Sequence, residues 1–282
     1  MRFAPLISAA TLVLGLSTAA HTDDPPRRVV SFNVCADQLV LALAEAGQIA
    51  ALSPNAADPA ISVLAQEARG FKQVGRTAET IAPLAPDLVL VGPWDRPLTQ
   101  RMLHALGFRM VAVDLINDID GALVQIREIA ALLGHPEKGA ALEAEIAAAR
   151  ARLAQARHPD GATALLVSNG GYTVGPASLA SALMAEAGLR PPPGAPAGYG
   201  GYVPLEKLIE LRPNYLVMPG IVEQPDSQGT LYLAHPALRA FYPPARRIIL
   251  PARYTTCGGP ALAAAFDYFA DVVAQVAAQP LN

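Results

Sequence analysis

Histidine (5 of 282 residues), cysteine (2) and tryptophan (1) are scarce in this chain, and charged side chains make up only 16 % of it, against roughly 25 % in an ordinary globular domain. With 21 basic and 24 acidic residues the net charge is −3, so a nucleic acid gains nothing from bulk attraction. The sequence holds no Cys-x-x-Cys and no Gly-x-Ser-x-Gly elbow. Its Gly-rich stretch, residues 169–175, lacks the lysine of a P-loop and the spacing of a dinucleotide fingerprint. A bare zinc or manganese site needs His and carboxylates converging at strand ends. Here His104 falls within a helical pattern, His135 in a turn between helices, His158 at the end of a linker, His235 in a His-Pro turn and His21 near the amino terminus. None follows a predicted strand, so any metal is expected to arrive already chelated.

What the chain has in quantity is apolar residues, 52 %, which excludes disorder and allows a large core. Pro (26) and Gly (22) are scattered singly, the punctuation of many short elements. Residues 1–20 read as a secretory signal peptide: Arg2, an apolar run over 4–16, then Ser17-Thr18-Ala19-Ala20. No Cys lies near that cleavage site and no later segment is apolar enough to span a bilayer, so a soluble, exported, periplasmic protein is expected. Cys35 and Cys257 are the only cysteines. An oxidising compartment permits a bond between them, while two separate thiols fit the sequence equally well.

Strand patterns at 27–32, 49–52, 87–91 and 110–113 alternate with helical ones, and the alternation resumes at 164–167, 215–218 and 248–250. The fold class expected is α/β, two Rossmann-like lobes with mostly parallel sheets. The lobes span 21–120 and 158–282, joined by a helical connection over 121–157. Within it the helix over 137–156 carries Leu142, Ile146, Ala149 and Leu153 on one stripe and reaches roughly 30 Å, a rigid bridge. An ungapped internal repeat aligns residues 78–89 with 205–216. In each copy a short helix begins near a glutamate, Glu79 or Glu206, and a proline precedes a buried strand.

The opening strand and helix at 28–43, the Val74-Gly75 step, the run from Glu79 through Pro86-Asp87-Leu88-Val89-Leu90, Gly170-Gly171-Tyr172-Thr173, the His235-Pro236-Ala237-Leu238 turn and Cys257-Gly258-Gly259-Pro260 occur in an order that resembles the class III periplasmic substrate-binding proteins of ABC importers, the cobalamin and iron-siderophore group. The resemblance covers the mature chain. It implies a ligand cleft between the lobes, limited hinge motion, and no cofactor of the protein's own, the cobalt or iron belonging to the ligand. It also implies a monomer that delivers its cargo to a permease dimer with its ATPase. The family's two docking carboxylates correspond to Glu79 and Glu206; as residues alone, both also read as acids favoured at helix N-termini.

Ligands of open α/β sheets sit beyond the carboxyl ends of the strands. That rule selects Asn33 and Cys35 after the first strand; Trp94, Asp95 and Arg96; Asn169 and Tyr172; and Arg253, Tyr254 and Cys257. Tyr199 and Tyr202 lie in a Gly-rich loop before Glu206. Flat aromatics suit a broad, semi-rigid chelate, and Arg96 and Arg253 suit its acidic groups or surface ion pairs. For Cys35 and Cys257, past strand ends on opposite lobes, three readings stand: a disulfide, a thiolate near the ligand's metal, or small packed residues. Because aromatics outnumber candidate arginines, cobalamin or another corrinoid is the first expectation, with a ferric siderophore or haem as the alternative. A periplasmic enzyme is the rival of another class, separated by product formation, and a two-lobed sensor shares the whole fold.

Overall fold

The computed structural model describes residues 24–158, 162–220 and 227–277; the expected signal peptide lies outside them. The first half runs β1 (Val29–Ser31), α1 (Val34–Leu43), β2 (Ile49–Ala51), α2 (Ala65–Ala68), α3 (Ala78–Ile81), β3 (Leu88–Val91), α4 (Pro97–Ala105) and β4 (Met110–Ala112). These strands form one parallel sheet in the order β2-β1-β3-β4. β1 and β3 are buried at every residue, which is why they read as continuous apolar runs and not as alternation.

The connection is a helix pair, α5 (Ile119–Leu133) and α6 (Pro136–Ala156). Asp118 caps α5 by accepting from the Gly121 amide, and Gly134, with φ 85°, ends it. A Cβ there would also stand 2.5 Å from Pro25 Cγ, so only glycine serves both needs. Pro136 occupies the first turn of α6, where its missing N–H costs nothing. The stripe Leu142, Ile146, Ala149 and Leu153 is buried as expected.

The second half runs β5 (Ala164–Leu166), β6 (Tyr172–Val174), α7 (Leu179–Glu186), β7 (Gly200–Tyr202), α8 (Leu205–Leu211), β8 (Tyr215–Met218), α9 (Gln228–Leu233), α10 (Pro236–Phe241), β9 (Arg247–Ile249) and α11 (Ala261–Ala277). β5, β8 and β9 form a second parallel sheet in the order β5-β8-β9. β6 and β7 pair as an antiparallel ribbon, Tyr172 opposite Tyr202, which the sequence reading did not foresee. The architecture is thus two α/β lobes joined by helices. Among the described residues no helix is long and apolar enough to cross a membrane.

The internal repeat is structural. Asp87 accepts the Arg27 and Arg28 amides at 2.7 and 2.9 Å, and its counterpart Asn214 accepts the Thr163 amide at 2.7 Å. Each copy ties the central strand of a sheet to its neighbour's start. The two lobes do not own all of their core, however. One apolar cluster runs from Leu39 and Leu43 of α1 through Ile126, Ile146 and Leu153 to Leu183, Phe266 and Phe269, and smaller clusters lie within each lobe.

Candidate functional site

A cavity of about 260 Å³ opens at the carboxyl ends of β1, β3 and β4 and reaches the segment before α11. Asn33, Cys35, Trp94 and Asp95 line it from one lobe, Thr256 and Cys257 from the other. Asn33 organises this wall. Its side-chain oxygen caps α1, accepting the Cys35 and Ala36 amides at 3.0 Å each, and its Nδ2 donates to Asp95 Oδ2 at 2.6 Å. The Gly92 amide donates to the same oxygen at 3.2 Å. A Cβ on Gly92 would meet Asp95 Oδ2 at 2.7 Å and Asn33 Nδ2 at 2.9 Å, so glycine is what allows the strand end, the cap and the carboxylate to converge. The other carboxylate oxygen of Asp95 faces Arg76 at 3.9 Å. Among the described residues, Asp95 and Asp114 are the only charged ones lining the cavity.

Trp94 stands out from this wall with 74 % of its surface exposed. Arg96 follows in a left-handed conformation, φ 42°, immediately before Pro97; its side chain is not among those lining the cavity. Cys35 and Cys257 are joined as a disulfide, with Cα atoms 5.2 Å apart. The structure therefore selects one of the three readings of the pair, and a free thiolate near a metal is not the one.

Because β5, β8 and β9 are parallel, the segments leaving β5 and β9 emerge from the same edge of their sheet. The first carries Tyr172, which meets Tyr202 edge to face at 5.4 Å and donates from its hydroxyl to the Tyr199 carbonyl at 3.3 Å. Tyr199 and Tyr202 are 70 % and 75 % exposed, a costly display of aromatic surface unless something covers it. The second carries Arg253, whose guanidinium lies 4.8 Å from the centre of the Tyr254 ring and donates to Tyr254 Oη at 3.2 Å and to the Pro59 carbonyl at 3.5 Å. Tyr254 stacks on Tyr268 at 4.6 Å. Tyr172, Tyr199, Tyr202, Arg253 and Tyr254 all lie outside the cavity wall.

Glu79 and Glu206 are both exposed and both in the first turn of their helices, α3 and α8. Hydrogen bonds from its own amide and from the Thr77 hydroxyl hold the Glu79 carboxyl below the ordinary range.

Sequence reasoning missed Asp37. It is fully buried in α1 and accepts from the Ser31 hydroxyl, the Ser53 amide at 2.8 Å and the Ser53 hydroxyl at 2.6 Å. Burial pushes its carboxyl up, against those hydrogen bonds and the Arg76 charge. A polar residue four positions from a cap gives no sign in sequence of which way it points. Three histidines have structural partners: His135 Nε2 with Gln48 Oε1 at 2.8 Å, His158 Nε2 with Tyr215 Oη at 3.1 Å, and His235 Nδ1 accepting the Ala237 amide at 3.2 Å.

A sequence profile described as "Periplasmic binding protein" matches residues 29–220, which takes in the first lobe, the helical connection and much of the second lobe. The chain belongs to that periplasmic binding protein family. No curated protein matches it. Among solved structures, this binding protein is similar to the periplasmic haem-binding protein BhuT in complex with two haems (24 % identity, 87 % of this chain and 98 % of that one, TM-score 0.67). It is also similar to the periplasmic haem-binding protein RhuT from Roseiflexus sp. RS-1 (24 %, 89 % and 99 %, 0.68) and to the periplasmic vitamin B12 binding protein BtuF of Vibrio cholerae (17 %, 90 % and 99 %, 0.65). At these identities the likeness is one of fold, and it covers both lobes.

Proposed function

We propose that the protein is the exported, soluble substrate-binding component of an ABC importer, capturing a planar metal chelate and delivering it to a permease dimer with its ATPase. The observation that carries this is a cavity at the carboxyl ends of β1, β3 and β4, completed by the segment between β9 and α11 and bearing the exposed Trp94, in a periplasmic binding protein. Pockets that enclose a whole drug-sized ligand run from roughly 300 to 1,000 Å³, so a cavity of about 260 Å³ takes one edge of a tetrapyrrole. The exposed Trp94, Tyr199 and Tyr202 supply flat apolar surface for the remainder. Such a protein binds and releases without consuming its ligand, brings no cofactor of its own and works as a monomer. Glu79 and Glu206, one per lobe, are its contacts to the two permease subunits.

A corrinoid such as cobalamin is the first choice of cargo. The charged groups on the cavity wall, Asp95 and Asp114, are both acidic. They suit the amide N–H groups around a corrin and repel the carboxylates of haem or of an anionic siderophore. Haem is the second reading, supported by the likeness to the two haem-binding proteins and by Arg253 at the same sheet edge as Tyr172. Titration of the purified protein with cyanocobalamin, haemin and a ferric hydroxamate, read by quenching of its single tryptophan, decides among them. Saturable quenching by cyanocobalamin alone supports the first choice; response only to haemin moves the cargo to haem. Turnover of any of these ligands overturns the binding-protein reading.

A further inference from the structure

Cys35 and Cys257 sit on opposite lobes, 222 residues apart in sequence, and both line the cavity. Cys35 is in the first turn of α1, directly beyond β1; Cys257 lies beyond β9 and just ahead of α11. The chain itself connects the lobes only through α5 and α6. Two bodies with one covalent connection are held relative to each other only by the stiffness of that connection and by the packing between them. A second connection in the cavity wall closes a covalent ring. A disulfide holds its Cα atoms between about 4.4 and 6.8 Å, and these stand at 5.2 Å, which leaves that part of the wall a play of under about 2 Å.

The packing around the bond is equally close. A Cβ on Gly259 would meet Leu39 Cδ2 of α1 at 2.9 Å, and one on Gly258 would meet Ala122 Cβ of α5 at 3.0 Å. The backbone that carries Cys257 therefore lies directly on the first lobe and its connecting helix. The apolar cluster shared between the lobes runs through the same helices, α1, α5, α6 and α11. Arg253, a few residues ahead of Cys257, adds a contact to the Pro59 carbonyl of the first lobe.

We infer that the Cys35–Cys257 disulfide is both part of the wall of the cargo cavity and a tether that fixes the width of the cleft there, so that the chelate enters and leaves a preformed cavity by its mouth. The statement about the cargo rests on the reading of this cavity as the chelate site; the statement about the tether does not. A preformed cavity loses less freedom on binding than one that must first be assembled, and removing the tether returns that freedom to the unbound state.

The test compares the wild-type protein with the double variant Cys35→Ala/Cys257→Ala. Without ligand, amide hydrogen exchange over residues 34–43 and 256–262 is expected to accelerate by about tenfold or more in the variant. With cyanocobalamin or haemin, whichever binds the wild type, dissociation is expected to be at least about tenfold faster. If exchange is unchanged in both segments, or if thiol titration of the purified wild type finds two free thiols, the tether is overturned. If exchange accelerates and neither chelate binds the wild type, the tether stands and the chelate reading falls. Should the variant fail to fold, wild-type protein reduced under native conditions by a dithiol, with two thiols confirmed by titration, replaces it in the same exchange measurement.

Discussion

Ala85 and Arg212 occupy the same left-handed conformation, φ 44° with ψ 55° and 52°, at aligned positions of the internal repeat. Each ends its helical turn one residue before a proline, Pro86 or Pro213, and each is followed by a buried central strand. An arginine clamps the chain beside each of them, though from non-equivalent positions. Arg28 donates through Nε and Nη2 to the Leu84 carbonyl at 2.9 and 2.6 Å, and Arg246 donates to the Asn214 and Pro213 carbonyls at 2.9 and 3.1 Å. A non-glycine residue in this region costs about 1–2 kcal/mol, while glycine adds unfolded-state entropy of about 0.4–1 kcal/mol. Ala85→Gly should therefore stabilise the protein by roughly 0.5–1 kcal/mol, seen as a higher urea midpoint at unchanged slope. Ala85→Val, branched at Cβ, should lower the midpoint.

Glu79 and Glu206 follow from the same repeat, since each opens a helix of the duplicated unit from an exposed position. Glu79→Ala/Glu206→Ala should abolish uptake of the chelate in cells while leaving the dissociation constant of the purified protein within about twofold, because neither carboxylate lines the cavity. Each single variant should lose part of the uptake. A drop in chelate affinity in the double variant would show that the pair acts on the cargo site and not on the permease.

Asn33 has two separable jobs, the cap of α1 and the hold on Asp95. Asn33→Ala should destabilise the fold by about 1–2 kcal/mol through the lost cap and weaken chelate binding. Asn33→Ser restores a capping oxygen but is too short to reach Asp95. Its denaturation midpoint should recover most of the loss while its chelate affinity stays low. Equal recovery of both would mean that the hold on Asp95 contributes nothing to binding.

These particular residues show what was legible in the sequence. The alternation of strands and helices, the capped break at Gly134-His135-Pro136 and the register of residues 78–89 on 205–216 are local signals, and local chemistry sets those elements. The strand-end rule likewise placed Asn33, Cys35 and Trp94 together, because the carboxyl edge of a parallel sheet is fixed by connectivity. The ribbon of β6 and β7 was not legible: Gly200 and Gly201 carry no strand propensity and are held opposite Val174 and Thr173 by pairing alone. The core shared between lobes, and with it the closeness of Cys35 to Cys257, depends on long-range packing that no window of sequence contains.

Asp37 gives a pH test of its buried site. Burial raises its carboxyl above the ordinary value of 3.8 in the folded state, so the folded protein holds that proton more tightly than the unfolded chain does. The corresponding stability is fully present below the ordinary carboxylate value and is lost as pH rises through the raised one. Asp37→Asn removes this titration and leaves all others in place. The difference in unfolding free energy, wild type minus variant, should therefore fall as pH rises from the ordinary carboxylate value through the raised one. A difference independent of pH would mean that Asp37 titrates alike in the folded and unfolded chains.

Trp94 separates stability from binding most cleanly. With 74 % of its surface in water, its removal should change stability by no more than about 0.5 kcal/mol. If it covers one face of a planar chelate, the same change deletes a stacking contact of about 0.5–1.5 kcal/mol beyond the apolar area it buries, so Trp94→Ala should weaken binding by tenfold or more, measured by calorimetry because the fluorescent reporter is gone. Trp94→Phe keeps a flat ring of smaller area and should fall between the two. Affinity unchanged in Trp94→Ala would place the chelate elsewhere on the cleft, toward Tyr199 and Tyr202, and the same calorimetric comparison on Tyr199→Ala and Tyr202→Ala would then find the loss.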